Sequence, residues 1–211
     1  LTSLVELPKS MRQPACVKPD EAAIAACSAL DQANVFGYAC RETQELMPLP
    51  ISLAHRIARA LDRARPHLPW LSPDAKTQVS IEYRNRRPLR IHTVTVTAAV
   101  AAGTPSGQVE EGLRAVVAKT FDDADMRPDG RTAINVNAGE PYEIGGPARH
   151  AGLTGRKNGI DTYGEIARQS GAALSGKDPS RIDRIGAYAA RHAAKNVVAA
   201  GLAQRCEGHL A

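Results

Sequence analysis

The clearest hydrophobic pattern lies at 51–65. Ile51, Ala54, Ile57, Ala58 and Leu61 fall on one face at helical spacing, with Arg56, Arg59, Asp62 and Arg63 largely outside it. Pro48 and Pro50 precede this helix, and a Pro-rich loop over 66–73 follows it, holding the single tryptophan, Trp70. The period then changes from helical to alternating. Val79, Ile81 and Tyr83 alternate with polar neighbours, as do Leu89, Ile91, Thr93 and Thr95, which predicts two strands joined by a hairpin turn at Asn85-Arg86-Arg87. A second helix is expected over 106–121, with Val109, Leu113, Val116 and Val117 inward. Strands are expected at 35–42 and 132–137. The order β-α-β-β-α-β is that of an α+β fold, with helices covering one face of a mainly antiparallel sheet.

The ends are read differently. Residues 1–34 are poorly patterned and broken by Pro8, Pro14 and Pro19, with a short helix expected over 20–31. Beyond 144 the pattern gives way to glycine loops, a strand near 158–163, a helix over about 180–200 that stops at Gly201, and a final strand from 204.

Composition narrows the function. Hydrophobic residues make up 43% of the 211 and charged residues 23%, an ordinary globular balance for one or two domains. No apolar run reaches the length of a membrane span, and residues 1–12 lack the apolar core of a signal peptide. The net charge of +5 favours anionic partners, while aromatics at 4% argue against a base-stacking surface for nucleic acid. Cys16, Cys27, Cys40 and Cys206 show no zinc spacing, and the natural location is the cytoplasm.

The chemistry gathers in 144–184. Glycines at 145, 146, 152, 155, 159, 164, 171 and 176 are interleaved with Arg156, Lys157, Lys177, Arg181 and Arg184. Glycine lets the backbone approach a ligand closely, and the cations suit a polyanion. Asp178-Pro179-Ser180 reads as a helix start, with Ser180 and Asp183 as a capping box. Lys177, Arg181 and Arg184 crowd an end that is already partly positive, a conflict that a bound phosphate removes. From the residues alone, other readings stand beside this one. Asp183 suits a simple cap, Asp74 and Lys76 a solvated loop, Arg156 and Lys157 surface charge, and Tyr142 either core or stacking.

The same stretch resembles the methionine adenosyltransferases (S-adenosylmethionine synthetases). The matching segments are IGGP at 144–147, AGLTGRK at 151–157, DTYG at 161–164, SGKDPS at 175–180, IDR at 182–184, AYAAR at 187–191 and AKNVVAAGLAQRCE at 194–207. Upstream, FGYA at 36–39, ELMPLPISLAHR at 45–56 and PWLSPDAKTQV at 69–79 match too. The resemblance implies repeated α+β domains: 1–29 as a remnant of the first, 30–142 as the middle domain and 143–211 as part of the last. It also implies that sulfur of methionine attacks C5′ of ATP, that triphosphate leaves and is hydrolysed, and that Mg²⁺ and K⁺ assist. By motif, Lys76, Arg156 and Lys177 are the catalytic cations. Asp74, Lys76, Tyr142, Arg156, Lys157, Lys177 and Arg181 bind ATP, Asp183 holds metal, and Asp31 and His150 face substrate.

Departures from the family pattern accompany the match. Its GHPDK segment does not occur in these residues. GGPxGDAG reads GGPARHAG with His150 in place of an Asp, GDQG reads LDQA, TYGG reads TYGE, GGGAFSGKD reads SGAALSGKD, and a Ser-Thr-Gln-His run reads Thr97-Ala98-Ala99-Val100. The expectation is a shortened, diverged member that acts on ATP and methionine as a homodimer or with a homologous subunit, without nucleic acid or membrane. The alternatives are a catalytically impaired regulatory partner, or a related enzyme with another nucleophile.

Overall fold

The computed structural model describes residues 21, 32–122, 124–138, 142–149, 151–152 and 155–211. Of the unit Leu1–Gln32, only the helical Glu21 and Gln32 are described, so the helix expected over 20–31 otherwise lies outside them. The unit Ala33–Ala211 runs β1 (Val35–Cys40), α1 (Leu49–Ala64), β2 (Leu71–Arg84), β3 (Arg87–Val100), α2 (Ser106–Thr120), β4 (Ala133–Val136), α3 (Ile182–Ala199) and β5 (Arg205–Leu210). The α+β order expected from the pattern is present.

The strands form two sheets, β2-β3-β4 and β1-β5. β2 and β3 are antiparallel and β4 joins β3 in parallel over four residue pairs, so the larger sheet is mixed, while the pairing stays mainly antiparallel as expected. A parallel partner requires a crossover, and α2 supplies it. The β2–β3 turn is tighter than expected: Arg87 already belongs to β3, and Asn85 and Arg86 make the turn at φ 51° and 61°. Two left-handed residues are what a two-residue hairpin of this twist needs. β2 also starts earlier than expected, at Leu71, so the loop before it is short.

The strand phase departs from simple alternation. Ile81 faces Ile91 while Ser80 faces Thr93, which leaves His92 as an extra residue. After this bulge, Val94, Val96 and Ala98 face the core in place of Thr93 and Thr95. A second extra residue, Leu89, is left exposed.

Both helices pack on this sheet. The buried stripe of α1 is Leu49, Leu53, Ala54, Ile57 and Leu61, which keeps the expected Ala54, Ile57 and Leu61 and takes Leu49 and Leu53 in place of Ile51 and Ala58. Val109, Leu113 and Val117 of α2 complete the core with Ile91, Val94 and Val96. Trp70 lies against Gly112, where a Cβ would meet its ring at 2.5 Å.

β1 and β5 pack on α3. Gly37 is the closest approach, since a Cβ there would lie 2.1 Å from the carbonyl carbon of Ala190. Arg191 of α3 donates to the carbonyls of Tyr38 at 2.6 Å, Glu45 at 2.8 Å and Leu46 at 2.9 Å. These bonds satisfy a guanidinium that burial acts on most, lowering its pKa. Glu42 anchors the same corner. Its carboxylate accepts from Leu49 N–H at 3.0 Å and Tyr83 O–H at 2.7 Å, capping α1, whose own N-cap residue, Pro48, has no side chain to do so. Among the described residues, no helix is long and apolar enough to cross a membrane.

Candidate functional site

The β3 edge leads the chain into the site. β4 is followed by Asn137, whose left-handed φ of 41° accompanies the return of its side chain onto β3. Its amide group accepts from Ala98 N–H at 2.7 Å and donates to Ala98 C=O at 2.9 Å, replacing a strand neighbour. The next edge bond comes from Val100 N–H to Tyr142 C=O at 2.8 Å. The edge therefore delivers Tyr142, Gly145 and Gly146 to β2.

There they meet Asp74. The β2–β3 register shifts between Leu71 and Ala75, and Asp74 sits in that irregularity with Pro73, which has no N–H to give a ladder. One carboxylate oxygen of Asp74 accepts from Tyr142 O–H and from Gly146 N–H, the latter at 2.6 Å. Hydrogen bonding to Asp74 first, then burial, raises the Tyr142 phenol pKa. The Tyr142 ring is buried, with the Arg149 guanidinium 5.0 Å and the Lys76 ammonium 5.7 Å from its centre. Gly145 is obligatory here, because a Cβ would lie 2.7 Å from Asp74 Cβ and 2.9 Å from Ala99 Cβ.

A second group forms at the start of α3. The capping box is not made. Asp178 accepts from both the N–H and the hydroxyl of Ser180, at 2.9 and 2.6 Å, and α3 begins later, at Ile182. The Ser180 hydroxyl first, then its N–H, holds the Asp178 carboxyl below the usual range. Asp183, freed from capping, accepts from the Lys177 ammonium. Arg184 donates to Lys177 C=O at 2.6 Å, and its guanidinium also bonds the Tyr188 hydroxyl. Of the expected crowd of cations, Lys177 thus carries its own carboxylate, while Arg184 is held by a carbonyl and a phenol. Arg181, the N-cap residue, is exposed.

Arg156 and Lys157 are exposed on the loop at Gly155, φ 84°. That loop touches the second glycine loop, since a Cβ on Gly155 would meet Ala173 Cβ at 3.1 Å. The expected strand at 158–163 is instead a single helical turn, Asn158–Asp161. Asp183 also lines a depression of about 340 Å³ with Asn34, Phe36, Ser170 and Gly171.

The expected residues therefore fall into groups: Asp74, Lys76 and Tyr142 on the β2 side, Lys177 and Asp183 at α3, and Arg156 and Lys157 on the adjoining loop. Asp31 and His150 lie outside the described residues. Arg184, read from the sequence among the cations at this helix start, joins the α3 group, and Arg149 completes the β2 side without having been singled out. Arg149 directly follows IGGPA, but one arginine in a loop is a weak signal. Among the described residues, no group of three or more His, Cys, Asp and Glu side chains is placed to hold a metal. A lone carboxylate does suit Mg²⁺, which keeps several waters and takes its remaining ligands from phosphate oxygens.

Known proteins are similar to this chain in sequence and fold. The S-adenosylmethionine synthetase central-domain model matches residues 26–142, and the C-terminal-domain model matches residues 144–211. S-adenosylmethionine synthases of Synechococcus sp. (strain JA-3-3Ab) and Microcystis aeruginosa are each 50% identical over 188 residues, covering 84% of this chain and 45% of the relative. A structure described as an unusual S-adenosylmethionine synthetase from Campylobacter jejuni superposes with a TM-score of 0.79 at 32% identity, covering 91% of this chain and 50% of that one. The chain thus spans about half the length of the relatives it matches.

Proposed function

Because the chain belongs to the S-adenosylmethionine synthetase family, we propose that it forms S-adenosylmethionine from ATP and methionine, releasing phosphate and diphosphate. The observation that carries this reading is the contact of Lys177 with Asp183 at the start of α3. An ammonium for polyphosphate oxygens and a carboxylate for Mg²⁺ stand side by side on backbone that Arg184 fixes.

The reaction asks mainly for charge stabilisation. The leaving triphosphate gains negative charge as the C5′–O bond breaks, and methionine sulfur supplies its own electron pair. No protein base is needed, and catalysis rests on positioning and preorganised cations. In this proposal Lys177, Arg156, Lys157, Arg181 and Lys76 bind the polyphosphate. Asp183 holds Mg²⁺, whose charge offsets that of the phosphates. Asp74, oriented by Tyr142 and Gly146, receives the adenosine side, and Asp31 and His150 face methionine. K⁺ is proposed as a second ion.

We assign 30–142 to the middle domain, 143–211 to part of the last and 1–29 to a remnant of the first. The partner is a second copy or a homologous subunit, and the setting is the cytoplasm. The test is direct. The purified protein receives ATP, methionine, Mg²⁺ and K⁺, and S-adenosylmethionine and phosphate are measured. Product that disappears in Lys177→Ala is the expected result; the unmodified protein making none overturns the reading.

A further inference from the structure

The helical face of the larger sheet carries a groove that the proposed reaction does not use. Arg56, Arg59 and Arg63 stand at i, i+3 and i+7 on α1, which places them on one side of the helix. None of the three makes an ion pair among the described residues, whereas their neighbour Arg65 is paired with Asp62 at 2.6 Å. Beside this ridge, between α1 and α2, lies a depression of about 690 Å³. Its floor is apolar and made of small groups, including Ala60, Ala64, Ala115 and Val116. Its rim is basic: Arg56, Arg63, His67 and Lys119, with no carboxylate among the lining residues. On the other side of the ridge the charge is mixed: a second depression of about 410 Å³ is lined by Arg56, Arg59 and Arg63 together with Glu42, Glu45 and Asp125.

The groove combines charge of a single sign with a small-residue apolar floor, whereas an ordinary surface intersperses both signs. The small floor residues let a backbone approach closely, and two adjacent helices offer the cradle that a third helix fills. The rim then selects for negative charge. A free nucleotide or inorganic polyphosphate would use the cations and leave the floor uncovered. We propose that the α1–α2 groove docks an acidic amphipathic helix of a partner protein, its apolar side on Ala60, Ala64, Ala115 and Val116 and its carboxylates against Arg56, Arg63 and Lys119. This inference does not depend on the proposed reaction.

The probe is a labelled helical peptide of about 15 residues, matching the ~1.5 Å rise per residue of α1, with Leu and Ala on one face and Glu on the other. Fluorescence anisotropy should show saturable binding to the intact protein at about 0.05 M salt that weakens strongly near 0.5 M, where screening is short-ranged. Arg63→Glu with Lys119→Glu, both exposed positions, should weaken binding by about tenfold or more, as removal of matched charges does. Ala64→Trp, which fills the floor, should weaken it comparably, while Lys195→Glu on α3 should not. Circular dichroism establishes that each variant is folded. Absence of saturable binding, or binding indifferent to both groove variants, overturns the proposal. So does equal competition by inorganic triphosphate or an all-Glu peptide, which would make the groove a general anion surface.

Discussion

The Lys177 ammonium donates to the Asp183 carboxylate across the start of α3, while Arg184 pins the carbonyl of Lys177 at 2.6 Å. Removing either partner leaves the other charge without its match in a half-buried place. Asp183→Asn should lower kcat for S-adenosylmethionine formation by about 10²-fold or more, the loss typical of a missing preorganised charge, and should raise the Mg²⁺ concentration needed. Steady-state rates against Mg²⁺ measure both. A rate within about twofold of the parent would contradict this role.

Gly145 separates a structural glycine from a spare one. Gly145→Ala places a Cβ 2.7 Å from Asp74 Cβ, in a spot closed on its other side by Ala99. It should destabilise the fold by about 1–3 kcal/mol, as overpacking does, and raise the KM for ATP by displacing Asp74. Gly171→Ala meets nothing within 4 Å and should leave stability unchanged. Thermal melts and ATP titrations of the two variants distinguish them.

Glu42 should matter for stability. Its carboxylate, with 7% of the side chain exposed, receives Leu49 N–H and Tyr83 O–H and has Arg205 3.9 Å away. Glu42→Ala strands these donors and should cost about 2–4 kcal/mol, which lowers Tm by roughly 2–4 °C per kcal/mol in a chain of this size. The Tyr83 phenol, held up by burial and then by Glu42, should move toward its ordinary value. An ultraviolet titration of the folded variant reads that change.

Acid should weaken one surface junction in a defined window. Arg90 grips Asp129 with two bonds, at 2.9 and 3.0 Å, and this holds the Asp129 carboxyl below the usual range. A depressed folded pKa means that the contribution is complete above the unfolded value of ~3.9 and is lost as pH falls through the folded one. The Tm difference between the parent and Asp129→Asn should therefore be steady from neutral pH to about 5 and shrink below about 4. A difference that grows on acidification would reverse the assignment.

Much of this structure was legible from residue patterns, and the misses share a cause. α1 and α2 declared themselves because their stripes persist over four turns. The hairpin declared itself through Asn85. The core phase of β3 did not, because alternation cannot reveal that His92 is an extra residue. The strand expected at 158–163 failed for a similar reason. Ile160 and Tyr163 look like strand residues, but Gly164 N–H returns to Gly159 C=O at 2.9 Å and closes a turn. At α3, Asp178 captured Ser180 before the capping box could form, and this left Asp183 for Lys177. Sequence motifs named Asp74 and Lys177, yet Arg149, Arg184 and Glu42 act through contacts between residues distant in sequence or through loop carbonyls, which no local pattern displays.

The pairing of β1 with β5 also governs when the chain can finish folding. Val35 pairs with Leu210, and Asn34 meets His209, 175 positions later. The β2–β3 hairpin and its helices make nearer contacts and can assemble while β1 still lacks its neighbour. Contacts of such long range close slowly. Until Arg205–Leu210 emerges during synthesis, β1 presents an edge without its β5 neighbour. Closure of the β1–β5 sheet is thus a long-range step that waits for Arg205–Leu210.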